Sequence, residues 1–231
     1  MPSPSRPTWR LVVLLLVGVV AAGVVWAAWG PVHRLIDPEP AAEASLDCMP
    51  VPPLDTVAEA NRLIRTYRSQ PGFVGGDVGA DLTLSDGRRM WVFGDTLRDQ
   101  TFDGPQIVRN SMLIFEDDCA GVVLPADGGA LIPDRVDGVG YWPMSLGKVA
   151  RNDADLVGVG VQRVRATGAG TLSFQILGPG IAVFRVLPGE TPELLAVHDL
   201  GPDTVDRTRP MWGAAAAVVG DLVYLYGTAH P

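Results

Sequence analysis

The chain has 231 residues and a formal charge of −8, with 26 acidic groups against 18 basic ones and Lys148 its single lysine. That balance, with no basic run, excludes nucleic acid as a partner. Three scattered histidines and two cysteines, Cys48 and Cys119, lack the spacing of a metal site, and no nucleotide or haem motif implies a cofactor.

In chain order, residues 1–10 carry Arg6 and Arg10 and no acid, and residues 11–30, LVVLLLVGVVAAGVVWAAWG, carry no charge. Twenty residues at about 1.5 Å each reach about 30 Å, the thickness of a hydrocarbon core. The acids that follow, Asp37, Glu39, Glu43 and Asp47, and the arginines that precede put the N-terminus in the cytoplasm. Trp26 and Trp29 crowd the exit where a leader peptide would have small residues. An uncleaved, single-pass signal anchor with an extracytoplasmic domain is therefore expected; a cleaved leader is the alternative. Both cysteines then fall where disulfides persist, so that a Cys48–Cys119 bond and two buried thiols are both open.

Residues 31–55 hold six prolines and no apolar period, as an extended linker does. Thr56-Val57-Ala58-Glu59 fits a capping box, and Val57, Ala60, Leu63, Ile64 and Tyr67 predict one face of a helix over 56–68. From residue 73 the chain reads as short apolar or alternating runs separated by Gly, Asp and Pro, which is an all-β pattern. Segments near Gly79, Pro143 and Gly213 each consist of an apolar run, a polar turn and a second apolar run ending in Gly. One hairpin per blade of a β-propeller gives such a repeat, and here it stops inside the third blade. Residues 56–231 are thus expected to form an incomplete propeller.

The first hairpin, GGDVGADLTLSDGRRMWVFGDT, has a register set by its turn. With Ser85-Asp86-Gly87 as a three-residue loop, Leu84 faces Arg88 and the count leads back to Asp77 facing Asp95. This gathers Val78, Ala80, Leu82, Leu84, Met90 and Val92 on one face, as a half-buried sheet requires. Asp77, Asp95, Asp81 and Trp91 share the other. Like charges opposite one another destabilise a sheet, so the pair reads either as a working acid and base or as the polar punctuation of turns. Trp142 and Trp212 offer flat faces to a sugar ring, a buried Trp at each blade start being the other reading.

The segments GGDVGADLTLSDGRRMWVFGDT, VRNSMLIF, YWPMSLGKV and MWGAAAAVVGDLVYLYGT together resemble a bacterial family of five-bladed propellers. It was long a domain of unknown function and includes endo-D-arabinanases of the actinobacterial cell wall. The resemblance implies a glycoside hydrolase-like domain that takes cell-wall polysaccharide as partner. It implies catalysis by Asp77 and Asp95, with Arg109, Asn110 and Trp142 near a central funnel. A non-catalytic carbohydrate-binding or scaffold propeller, or an inactive remnant of an enzyme, remains the alternative.

Overall fold

In the computed structural model the chain divides into two units, Met1–Asp37 and Pro38–Pro231. The described residues all lie in the second: 44–51, 56–67, 70–77, 79–116, 119–168, 170, 172–206, 208–220 and 222–229. Val78 is outside them.

A five-stranded antiparallel sheet has the order β1 (Ser45–Pro50), β8 (Cys119–Leu124), β7 (Ser111–Phe115), β4 (Arg89–Phe93), β3 (Gly79–Thr83). Its β3–β4 hairpin has the expected register, Ala80 facing Val92 and Leu82 facing Met90. The turn explains it: Leu84 N–H donates to Arg88 C=O at 2.7 Å, and Gly87 takes a φ of 93°, which a residue without Cβ adopts at no steric cost.

Both faces of this sheet are covered. Leu84, Met90, Val92, Met112 and Ile114 enter one core; Phe93, Leu113, Phe115 and Val122 enter another with Phe73 and with Leu63 of helix α1 (Val57–Tyr67). Alternation along β4 and β7 therefore sends successive side chains into two apolar layers. The capping box closes α1: Glu59 N–H donates to Thr56 Oγ1 at 3.2 Å, and Thr56 N–H donates back to Glu59 Oε2 at 2.9 Å. Val57, expected on the apolar face, is exposed at the start of the helix.

The second sheet has the order β12 (Glu193–Asp199), β11 (Phe174–Val186), β10 (Ala154–Ala166), β9 (Val139–Arg151). Val157, Val159, Val161 and Phe184 meet the first sheet's Met90 and Ile114 in a shared core. The hairpin β13 (Met211–Val219) and β14 (Leu222–Thr228) forms a separate two-stranded sheet. A third small sheet, β2 (Gly75–Gly76), β5 (Thr96–Leu97) and β6 (Ile107–Val108), has strands of two residues each.

The β-rich class stands, but the propeller does not. The strands fall into separate sheets and, among the described residues, no closed propeller or barrel is present. Hairpin repeats are local patterns and do not dictate how successive sheets are arranged. Here one of the three hairpins grows to two strands of 13 residues, while the first sheet recruits β1 at its edge from the stretch read as linker.

The membrane expectation is also corrected. Among the described residues no helix is long and apolar enough to cross a membrane. Helix α1, with 11 residues, reaches only about 16 Å. A transmembrane helix, a signal anchor and the single-pass placement drawn from them therefore find no support. The residues that carried them, 1–10 and 11–30, lie outside the described ones, as does most of 31–55.

The β13–β14 hairpin exposes Val219, Leu222, Tyr224 and Tyr226. An exposed apolar strand edge is a template for pairing with another chain. Leu222→Lys is expected to change stability by no more than about 0.5 kcal/mol and to reduce self-association in light scattering. Equal association of variant and parent would clear this edge of the role.

Candidate active site

The three-stranded sheet of dipeptides decides where the polar residues meet. Gly76 faces Thr96, and Thr96 faces Val108. Asp77 immediately follows β2, Asp95 immediately precedes β5, and Arg109 immediately follows β6, so the antiparallel register puts all three in one row. Asp77 N–H donates to Asp95 C=O at 3.1 Å, and Gly94 N–H donates to Asp77 C=O at 2.7 Å. Two residues thus oppose one, a bulge-like offset of the kind that re-aims side chains beside active sites. Buried Thr96 pins the bend: its hydroxyl donates to Gly94 C=O at 2.8 Å and shares a 2.7 Å hydrogen bond with Ser111.

Beyond the strand end Asp95 turns towards the second sheet. Trp142 Nε1–H on β9 donates to Asp95 Oδ1 at 2.7 Å, which fixes the carboxyl's orientation. Arg109 forms an ion pair with Asp134 in the loop that leads to β9. Gly140 lies against that pair, and a Cβ there would collide with Arg109 Cδ and Asp134 Oδ1. Asp77, Asp95, Asp134, Arg109 and Trp142 therefore make one constellation.

Its electrostatics are uneven. Asp77 is exposed as a residue, but partial desolvation of its carboxyl raises it above the ordinary aspartate range, and the neighbouring Asp95 charge raises it further, against the lowering effect of the Asp95 and Asp77 backbone N–H groups. Asp134 is raised too, first by burial; Arg109 opposes the shift and Asp95 adds to it. Like charges so close do not all ionise without cost, so Asp77 and Asp134 keep their protons to higher pH than an isolated aspartate does.

The other candidate residues lie elsewhere. Asn110 is buried; its Nδ2 donates to Ile132 and Tyr141 carbonyls at 2.9 and 3.0 Å, and its Oδ1 accepts from Ile132 N–H at 2.6 Å. It clamps the segments that carry Asp134 and Trp142. Asp81 on β3, four residues after Asp77 in the chain, forms an ion pair with Arg89 at 2.6 Å. That pair engages its carboxyl on the β3–β4 hairpin, so sharing a sheet face does not bring Asp81 into the site. Trp212, half-exposed on β13, lines a different cleft. Cys48 and Cys119 form a disulfide across β1 and β8, with Cα atoms 5.8 Å apart.

Asp134 is the member that sequence reasoning missed. It stands in IPDRVDG, a loop whose composition is that of any polar turn, and only Arg109 gives it a role. The two-residue strands that line up Asp77, Asp95 and Arg109 are too short to show alternation.

No protein-family model and no curated protein matches the sequence. A crystal structure from Bacteroides ovatus ATCC 8483, described as a "putative hydrolase", is similar at a TM-score of 0.50 and 16% identity. The match covers 80% of this chain and 54% of that one, so this chain spans about half the length of the structure it matches. At that identity the likeness is one of fold.

Gly94 tests how far the geometry matters. A Cβ on Gly94 would stand 2.6 Å from Asp77 Oδ1, so Gly94→Ala must displace that carboxyl. The expected result is a loss of about a hundredfold in turnover, with the circular dichroism spectrum retained. Full activity would mean that the position of Asp77 is irrelevant to the chemistry.

Proposed function

We propose that the chain is a hydrolase cleaving internal glycosidic bonds of a neutral cell-wall furanose polysaccharide of the arabinan class, with Asp77 and Asp95 as its carboxyl pair. The observation that carries this reading is the inequality of two carboxyls in one row. Asp77 holds its proton to higher pH through burial and the Asp95 charge, whereas Asp95 is oriented by the Trp142 indole. Glycoside hydrolysis asks for such a division: one carboxylic acid protonates the leaving oxygen, while a carboxylate attacks the anomeric carbon or activates a water against it.

Asp77 takes the acid role and Asp95 the nucleophile or base role. Trp142, partly exposed, offers its ring to a sugar beside the pair. Arg109, braced by Asp134, keeps donors near the same row for hydroxyl groups. The fold shared with a protein described as a hydrolase supports the general class. The resemblance of Gly-Gly-Asp and Trp-x-Phe-Gly-Asp-Thr to endo-D-arabinanase segments supports the polymer.

The test is incubation of the purified chain with D-arabinan, measuring new reducing ends and product lengths. Endo-cleavage yields a ladder of oligomers with a rapid fall in polymer size. Failure to release reducing ends from arabinan would overturn the reading, and unchanged turnover by Asp95→Asn would overturn the residue assignment.

A further inference from the structure

A recess lies between the β9–β12 sheet and the β13–β14 hairpin. It is a cleft of about 650 Å³, and its walls include Gln162, Phe174, Leu177, Arg209 and Trp212. The volume falls within the range of about 300–1,000 Å³ typical of small-molecule sites.

Three observations define what it suits. Phe174 and Trp212 are respectively 38% and 47% exposed and both line the cleft, so their rings present apolar surface to it. Gln162 is 2% exposed; its Nε2 donates to Trp212 C=O at 2.8 Å, while its Oε1 has no partner among the described residues. Its amide thereby anchors the Trp212 backbone at the cleft wall. The charges in the wall are already matched. Arg163 is held by Asp203 at 2.6 Å and by the Pro202 carbonyl at 3.2 Å, and Arg209 pairs with Asp206 at 3.3 Å. Arg163 is thereby withdrawn from an anionic ligand and the Arg209 charge is offset by Asp206, whereas a neutral polyhydroxylated ligand would find flat apolar rings.

The cleft also connects to the acid pair. Trp142, whose indole N–H holds Asp95, meets Phe174 edge-on with ring centroids 4.7 Å apart. Phe174 in turn lines the cleft with Trp212. Aromatic rings thus run from the carboxyls into the recess.

We propose that this cleft is an accessory subsite for a neutral polysaccharide, with Phe174 and Trp212 stacking against sugar faces. The proposal rests on the glycosidase reading of the acid pair, since it places a distal part of the same substrate here.

The test is calorimetric titration of the full chain with arabino-oligosaccharides from a disaccharide to an octasaccharide, alongside polygalacturonate as an anionic probe. Trp212→Ala is expected to weaken the octasaccharide by about tenfold and leave the disaccharide unchanged. Phe174→Leu, a milder change should the first variant unfold, is expected to act in the same direction. Octasaccharide binding equal to the parent in both variants, or binding of polygalacturonate alone, would overturn the proposal.

Reducing-end assays separate the two claims. Length-dependent binding lost in Trp212→Ala while Asp95→Asn still cleaves would keep the cleft and reject the acid pair. Cleavage lost in Asp95→Asn while both aromatic variants bind normally would do the reverse.

Discussion

Asp95→Asn is expected to lower arabinan turnover by about a thousandfold or more, within the range for removing an acid–base or nucleophilic group, while oligosaccharide binding persists. Asparagine keeps the shape and can still accept from Trp142 Nε1–H, so the site's geometry survives. The substitution also removes the negative charge that helps raise Asp77. With that charge gone ionisation is easier, so the Asp77 carboxyl should titrate at lower pH in the variant than in the parent. Burial, the larger cause, is unchanged by the substitution. Carbon-13 NMR of labelled aspartates reads this even in an inactive protein; an unmoved Asp77 titration would mean the two carboxyls are uncoupled.

The same shift has a consequence for stability. A carboxyl whose folded value is raised favours the folded state when protonated. That contribution is complete below the ordinary aspartate value and disappears as pH rises through the raised folded value. Near neutral pH the ionised Asp77 therefore opposes folding, and Asp77→Asn should be neutral or stabilising there although it eliminates the proposed acid. An activity loss paired with a stability gain is the expected mark of a site selected for chemistry.

Replacing both Cys48 and Cys119 by alanine is expected to cost about 4 kcal/mol, read as a lower urea midpoint with a steeper slope, because the unfolded chain is no longer cross-linked. The bond closes a loop with a sequence separation of 71, and such a loop restricts the unfolded chain considerably. The loop holds α1, the β3–β4 hairpin and β7, together with Asp77, Asp95 and Arg109. It also fastens β1, an edge strand that pairs, among the described residues, only with β8. Loss of the disulfide should therefore loosen the first sheet and, through it, the acid row. A urea midpoint unaffected by either the substitutions or a reductant would show that the β1–β8 ladder suffices alone.

The sequence by itself determined the features whose causes are local. Alternating apolar residues and the Asp86-Gly87 turn specify the β3–β4 register, because a shift of one residue would turn Met90 and Val92 away from their core. Thr56 and Glu59 specify the start of α1 through side-chain bonds spanning three residues. Tertiary structure alone decided what lies far apart in the chain. Trp142 reaches Asp95 across 47 residues and Asp134 meets Arg109 across 25, once the two large sheets share a core. Asn110 and Asp81, equally polar in sequence, become a buried clamp and a surface ion pair. The repeat of hairpins also carried no information on closure, since backbone pairing within a hairpin is indifferent to the packing of its faces. Turn chemistry and alternation act over a few residues, whereas a site is assembled by burial, which depends on every surface the chain has to cover.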